Sequence, residues 1–114
     1  MTVHVIEDDF AVCDALTILL NELGHDVRAY ASAEEFLSDG RPVPTDTVVV
    51  DLGLPGMAGT AVVSHLNESS PPPRVIVITG KSKTQLRQIA EELSDLPVLR
   101  KPISYSTLAE HFRA

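Results

Sequence analysis

The stretch VVVDLGLPGMAG, Val48 to Gly59, decides the fold. Thr47 to Val50 is an unbroken β-branched run, which suits a strand and not a helix. It has no charged residue on either alternate face, so both faces of the strand must be covered. Asp51 then ends it abruptly, and Leu52 to Gly59 reads as a loop carrying Pro55, Gly56 and Gly59. A carboxylate set at the end of a central strand is a costly placement unless charge or metal answers it.

The same kind of segment recurs on either side. Upstream lie Val3 to Ile6, then a helical spacing of Val12, Leu16, Leu19, Leu20 and Leu23 closed by Gly24 as its C′ residue. Asp26 to Tyr30 is a short second strand, and Ser32 with Glu35 forms a capping box opening a helix through Leu37. Residues 40 to 44 are a loop. Downstream, Ala61 to Asn67 is helical, Ser69 to Pro73 stops it, and Val75 to Ile78 is the most apolar strand. Leu86, Ile89, Ala90 and Leu93 mark a fourth helix, Val98–Leu99 a fifth strand, and Ser104 caps a last helix. Five strand–helix units of this kind predict an α/β chain: a doubly wound parallel sheet with helices on both faces.

The 114 residues suit one domain, 1–114, and at 44 % hydrophobic the core is adequate for that size. Aromatic residues are only 4 %, so Val, Leu, Ile and Ala must fill it. A net charge of −7 speaks against direct nucleic-acid binding. No apolar run approaches the ~20 residues that cross a bilayer, and the N-terminus lacks the pattern of a signal peptide. The lone Cys13 excludes an intrachain disulfide and reads as a buried helix cysteine. These features fit a cytoplasmic protein with no membrane contact. His4, His25, His65 and His111 show no metal-ligand spacing and read as structural or solvated.

In a sheet of this class ligands gather at the carboxyl ends of the strands. The residues there are Glu7, Asp8 and Asp9 after the first strand, Asp51 after the third, Thr79 and Gly80 after the fourth, and Lys101–Pro102 after the fifth. Carboxylates converging from two strands repel, and Mg²⁺, which takes hard oxygen ligands and keeps several waters, relieves that repulsion. A backbone carbonyl just after Asp51 adds a ligand, Lys101 a fixed positive charge, Thr79 a hydroxyl, and Gly80 room. That set suits a phosphoryl group, with Asp51 as the nucleophile forming an acyl phosphate. Asp9 reads equally as a helix cap. Pro55 and Gly59 read as loop geometry. Lys81, Lys83 and Arg87 form a small basic patch, either a solvated face or a partner surface.

At this point the sequence resembles a known family. VIEDD (5–9), VVVDLGLPGMAG (48–59), VIVITG (75–80) and LRKP (99–102) are similar, in order, to the four signature blocks of response-regulator receiver domains. The resemblance covers essentially the whole chain. It implies the flavodoxin-like strand order 2-1-3-4-5 with five helices. It implies Glu7 and Asp8 as the acidic pair, Asp51 as the phosphorylated aspartate, and the Gly53 carbonyl as the remaining protein ligand of Mg²⁺. It implies Thr79 as the switch hydroxyl, Lys101 as the phosphate-binding lysine, and a cis bond at Lys101–Pro102. It implies a sensor histidine kinase or histidine phosphotransfer protein as donor, self-catalysed phosphotransfer and dephosphorylation, and a downstream protein or effector domain reached through the last helix–strand–helix face. A homodimer through that face is allowed. Gly80, Lys81 and Val98 are the candidate tuning positions, Lys81 through dephosphorylation.

Two departures bear on output. Val98 stands where many receivers carry Tyr or Phe, and EELSDLP (91–97) lacks the usual small-residue turn. An aspartyl phosphatase is disfavoured because Gly53 replaces the second carboxylate of a D-x-D motif and Asp51 follows the third strand. An FMN carrier is disfavoured because Glu7-Asp8-Asp9 would repel its phosphate. A receiver-like module that signals without phosphate is the alternative that Val98 leaves open.

Overall fold

A computed structural model describes residues 2–54, 56–87 and 96–112. Five parallel strands form one sheet: β1 (Thr2–Ile6), β2 (Asp26–Tyr30), β3 (Thr47–Asp51), β4 (Arg74–Thr79) and β5 (Val98–Arg100). Their order is β2-β1-β3-β4-β5, as expected. Five helices connect or follow them among the described residues: α1 (Phe10–Glu22), α2 (Ala33–Asp39), α3 (Gly59–Asn67), α4 (Lys83–Arg87) and α5 (Tyr105–Phe112).

The pleat divides the core in two. Ile6, Val48, Val50, Val75 and Val77 face α2 and α3, packing with Phe36, Val62, Val63 and Leu66. Val3, Val5, Val49, Ile76 and Ile78 face α1 and α5, packing with Leu16, Leu20, Leu108 and Phe112. Successive side chains alternate between these clusters, which is why β3 needs valine at three consecutive positions. Every residue of β3 is buried. The outer strand β2 keeps only Tyr30 buried, consistent with its place at an edge.

Local signals explain the helix ends. Asp9 caps α1, its carboxylate accepting from the N–H groups of Ala11 and Val12 at 2.9 and 3.2 Å. Gly24 takes φ +91° just past the helix, where an L side chain is strained. Ser32 accepts from Glu35 N–H at 3.0 Å, but the Glu35 carboxylate reaches Ala31 N–H rather than closing the box on Ser32 itself. Ser104 receives Thr107 N–H at 3.2 Å and opens α5.

Some boundaries differ from the sequence reading. The fourth helix, marked in the sequence by Leu86 and with Lys81, Lys83 and Arg87 at its start, begins at Lys83, where Ser82 and Gln85 bond reciprocally across the first turn. Ser82 and Gln85 thus form an S-x-x-Q capping box. Ile89, Ala90, Leu93, Pro55 and most of the 91–97 stretch lie outside the described residues. Cys13 is half-buried, packed against the α1/α5 cluster rather than enclosed in it. The Lys101–Pro102 bond is cis, as the resemblance implied, and Ser70–Pro71 is cis as well.

One buried polar network was not foreseen. His4, 3 % exposed in β1, places Nδ1 3.1 Å from the Tyr30 hydroxyl and Nε2 3.0 Å from Asp46 Oδ2. Asp46 also accepts from Thr2 N–H at 3.0 Å and Val43 N–H at 3.1 Å. Burial would raise the pKa of this carboxylate, but these donors outweigh burial and lower it. An ionised Asp46 requires His4 Nε2 to carry its proton, which leaves Nδ1 to accept from Tyr30 when the ring is neutral.

Candidate functional site

Asp51 reaches the carboxyl edge as the last residue of β3 and is 3 % exposed. Glu7 follows β1 next to it and is 2 % exposed, while Asp8 is exposed beside both. Carboxylate oxygens of Glu7, Asp8 and Asp51 lie within 4.8 Å of one another. Three such groups in that space favour a divalent cation of hard character.

Lys101 enters from the far side of the sheet, on the turn after β5. Its ammonium nitrogen lies 2.8 Å from Glu7 Oε2 and 3.1 Å from Asp51 Oδ2. The Asp51 contact is a hydrogen bond. The Glu7 contact is a close ion pair to Oε2, which is buried. The other Glu7 oxygen accepts from Asp9 N–H at 3.0 Å. Asp51 Oδ1 accepts from Gly53 N–H at 2.9 Å.

Electrostatics follow from this packing. Burial pushes the Glu7 carboxyl up to about 7, against the pull of Lys101 and the Asp9 N–H, and neighbouring Asp51 adds to the rise. Burial alone would lower the Lys101 pKa, but Glu7 and Asp51 hold its charge and raise it overall. A raised carboxyl pKa works against folding as pH climbs. The penalty is absent below the ordinary value of 4.5, grows as pH rises towards 7, and is complete above it. In metal-free buffer we expect this term to reach the order of 3 kcal/mol. Denaturant titrations at several pH values should show Glu7→Gln flattening the decline relative to the wild type. Equal pH slopes would rule this account of Glu7 out.

Other sequence-chosen positions take different places. Thr79 is wholly buried at the end of β4, and its hydroxyl oxygen accepts from Lys81 N–H at 2.9 Å. Its carbonyl accepts from Lys101 N–H at 2.7 Å, tying the ends of β4 and β5 together. Gly53 is exposed in the turn after β3. Gly80 is exposed, and a Cβ there would meet nothing within 4 Å. Val98 is half-buried and packs against the α2/α3 cluster. Gly59 does more than shape a loop. A Cβ on it would collide with the Asp51 carbonyl oxygen and lie 2.9 Å from Leu52 Cα, so glycine lets α3 begin against the backbone that carries Asp51.

Sequence reasoning missed the groove beside this cluster. It has a volume of about 430 Å³ and runs from Glu7 and Asp8 past Phe10, Asp14 and Tyr30. Phe10, the first residue of α1, is 84 % exposed at its rim. A phenylalanine directly after three acidic residues was the available signal, since a large aromatic so exposed marks contact surfaces.

Comparisons with known proteins agree with this arrangement. Residues 3–113 match the family model described as the response regulator receiver domain. The transcriptional regulatory protein FixJ of Azorhizobium caulinodans is 34 % identical over 114 residues, 100 % of this chain and 54 % of FixJ. The sensory transduction protein RegX3 of Mycolicibacterium smegmatis is 30 % identical over 113 residues, 99 % of this chain and 49 % of RegX3. The chain thus spans about half the length of the curated relatives it matches. A receiver domain structure from Methylobacillus flagellatus superposes with a TM-score of 0.80 at 27 % identity, covering 97 % of this chain and 94 % of that one.

Proposed function

The chain belongs to the response regulator receiver family of two-component signalling, and from that premise we propose that Asp51 accepts a phosphoryl group from a phosphohistidine. The domain is a signalling domain, not a classical enzyme. The observation carrying the proposal is the Lys101 ammonium held between Glu7 and Asp51 at 2.8 and 3.1 Å, with Asp8 alongside. A positive charge in contact with the acceptor carboxylate is placed for the oxygens of an incoming phosphoryl group.

The residues present fit Mg²⁺: three convergent carboxylates, all hard donors. Glu7, Asp8, Asp51 and the Gly53 carbonyl would hold it, and when bound it supplies positive charge to the phosphoryl oxygens. The chain's own residues do the rest. Gly53 N–H fixes Asp51 Oδ1, and Lys101 fixes Oδ2, so the carboxylate is oriented before the donor arrives. An Asp51 oxygen bonds to phosphorus as the N–P bond to the donor imidazole breaks. The electron pair leaves with the imidazole, and water supplies its proton. The Thr79 hydroxyl, which accepts from the Lys81 N–H, swings towards the phosphoryl group and donates its proton to a phosphoryl oxygen. The donor, a histidine kinase or phosphotransfer protein, enters over the groove at Phe10. The downstream partner is an effector of the transcription-regulating kind named for FixJ.

Incubation with acetyl phosphate and Mg²⁺ tests the acceptor chemistry by intact mass. The expected result is one added phosphoryl group, labile to hydroxylamine, formed with Mg²⁺ and absent with EDTA. No mass gain under these conditions would sink the proposal.

A further inference from the structure

Val98 leaves open how Thr79 communicates with the surface, and the structure offers a different residue for that work. Thr79 and Arg100 are paired across β4 and β5. Arg100 lies two residues beyond Val98, so both side chains emerge on the same face of the edge strand. From there the Arg100 Nε–H donates to the Lys81 carbonyl oxygen at 3.3 Å. The N–H of the same residue, Lys81, donates to the Thr79 hydroxyl at 2.9 Å. Lys81 is therefore held at both ends of its backbone, by the switch hydroxyl on one side and by Arg100 on the other. Gly80, which joins Thr79 to Lys81, is exposed, and a Cβ on it would meet nothing within 4 Å. Glycine leaves the backbone of this turn more conformational freedom than a residue with a side chain would.

We propose that Arg100 is a positioning residue, a latch that holds the Thr79–Lys81 turn in its resting form in place of an inward-turning aromatic at position 98. The proposal rests on the reading of Asp51 as phosphoryl acceptor. The Lys81 N–H keeps the Thr79 hydroxyl occupied as an acceptor, and Arg100 keeps Lys81 where that bond forms. When Thr79 turns to a phosphoryl oxygen on Asp51, the Lys81 N–H loses its partner and the turn shifts. The Arg100 bond belongs to the resting arrangement and opposes that shift. Removing it raises the fraction of molecules already competent to bind, which tightens apparent affinity without any new contact to the ligand.

The test compares wild type with Arg100→Met, which keeps the apolar stem and loses the donor, and with Arg100→Lys, which keeps the charge. Beryllofluoride with Mg²⁺ is the probe, titrated by NMR. In Arg100→Met we expect the amide resonances of Gly80 and Lys81 in the unliganded protein to move towards their beryllofluoride-bound positions. We expect apparent affinity to rise about three- to tenfold, the weight of one ordinary hydrogen bond. Arg100→Lys should tighten binding less than Arg100→Met. If Arg100 acted only as a nearby positive charge, Arg100→Met would weaken binding of the anion, the opposite sign. Weakened or unchanged binding, or Gly80 and Lys81 resonances that stay in place, overturns the latch while leaving the acceptor reading intact. A wild type that binds no beryllofluoride overturns the acceptor reading and the role of the latch with it.

Discussion

Asp51→Asn abolishes phosphoryl uptake from acetyl phosphate, while the folded domain persists. The asparagine amide has nearly the same shape and can still accept from Gly53 N–H at the position of Oδ1. It lacks the anionic oxygen that bonds to phosphorus, and no rotamer restores one. Asp8 is the nearest remaining carboxylate outside the core, but it is exposed and lacks the Lys101 contact that orients Asp51. The expected loss is at least about a thousandfold in initial rate, which is the scale on which nucleophile removal acts. Intact mass and hydroxylamine sensitivity read the result. Circular dichroism should be unchanged. Substantial labelling of Asp51→Asn would show that another residue is the acceptor.

Lys101→Ala carries the second large effect, and it falls on stability as well as chemistry. The substitution strips the ammonium that contacts both Glu7 and Asp51, whose side chains are 0 and 4 % exposed. Two buried negative charges are then left facing each other. Breaking a buried ion pair from one side costs about 3–5 kcal/mol, and the low end applies here because Glu7, already pushed up to about 7, can take a proton. Urea denaturation in EDTA at pH 8 should show that loss, and pH 5.5 should restore part of it as Glu7 protonates. Saturating Mg²⁺ should also restore part of it by replacing the missing charge. Phosphoryl uptake should stay low even when stability is restored, since the group that meets the phosphoryl oxygens is gone. A Lys101→Ala protein as stable as wild type in EDTA at pH 8 would mean the pair carries no such energy.

The sheet was legible in the sequence because its strands are buried on both faces. Thr47 to Asp51 and Arg74 to Thr79 could not be helices of this length and composition, and their apolar runs forced helices onto both sides. The convergence of Glu7, Asp8, Asp51 and Lys101 was legible for a related reason, since strand ends in a parallel sheet share one edge. Side-chain partners were not legible. Whether Thr79 spends its hydroxyl on Lys81 or on its neighbours depends on a turn of three residues. The reach of Arg100 depends on β4–β5 pairing. His4 read as structural or solvated, and its partners were hidden, since nothing in the order of residues brings Asp46, 42 positions away, to its ring. The exposed Phe10 breaks the expected inward periodicity of α1 and was overlooked for that reason.

The His4–Tyr30–Asp46 network has a consequence for how the chain finds its alignment. On β1, Val3, His4, Val5 and Ile6 lie beside Thr47, Val48, Val49 and Val50 on β3. Such strands could slide past one another by a residue and still place valine against valine. The imidazole removes that freedom. A slip of one position would turn His4 to the opposite face, among Leu16, Leu20 and Ile76, where no acceptor or donor waits. It would also leave the Asp46 carboxylate buried with one partner fewer, a loss far larger than any apolar mismatch. In a sheet whose hydrophobic contacts are nearly interchangeable, one histidine and one aspartate make mispairing expensive, and so secure the alignment that brings Glu7 beside Asp51.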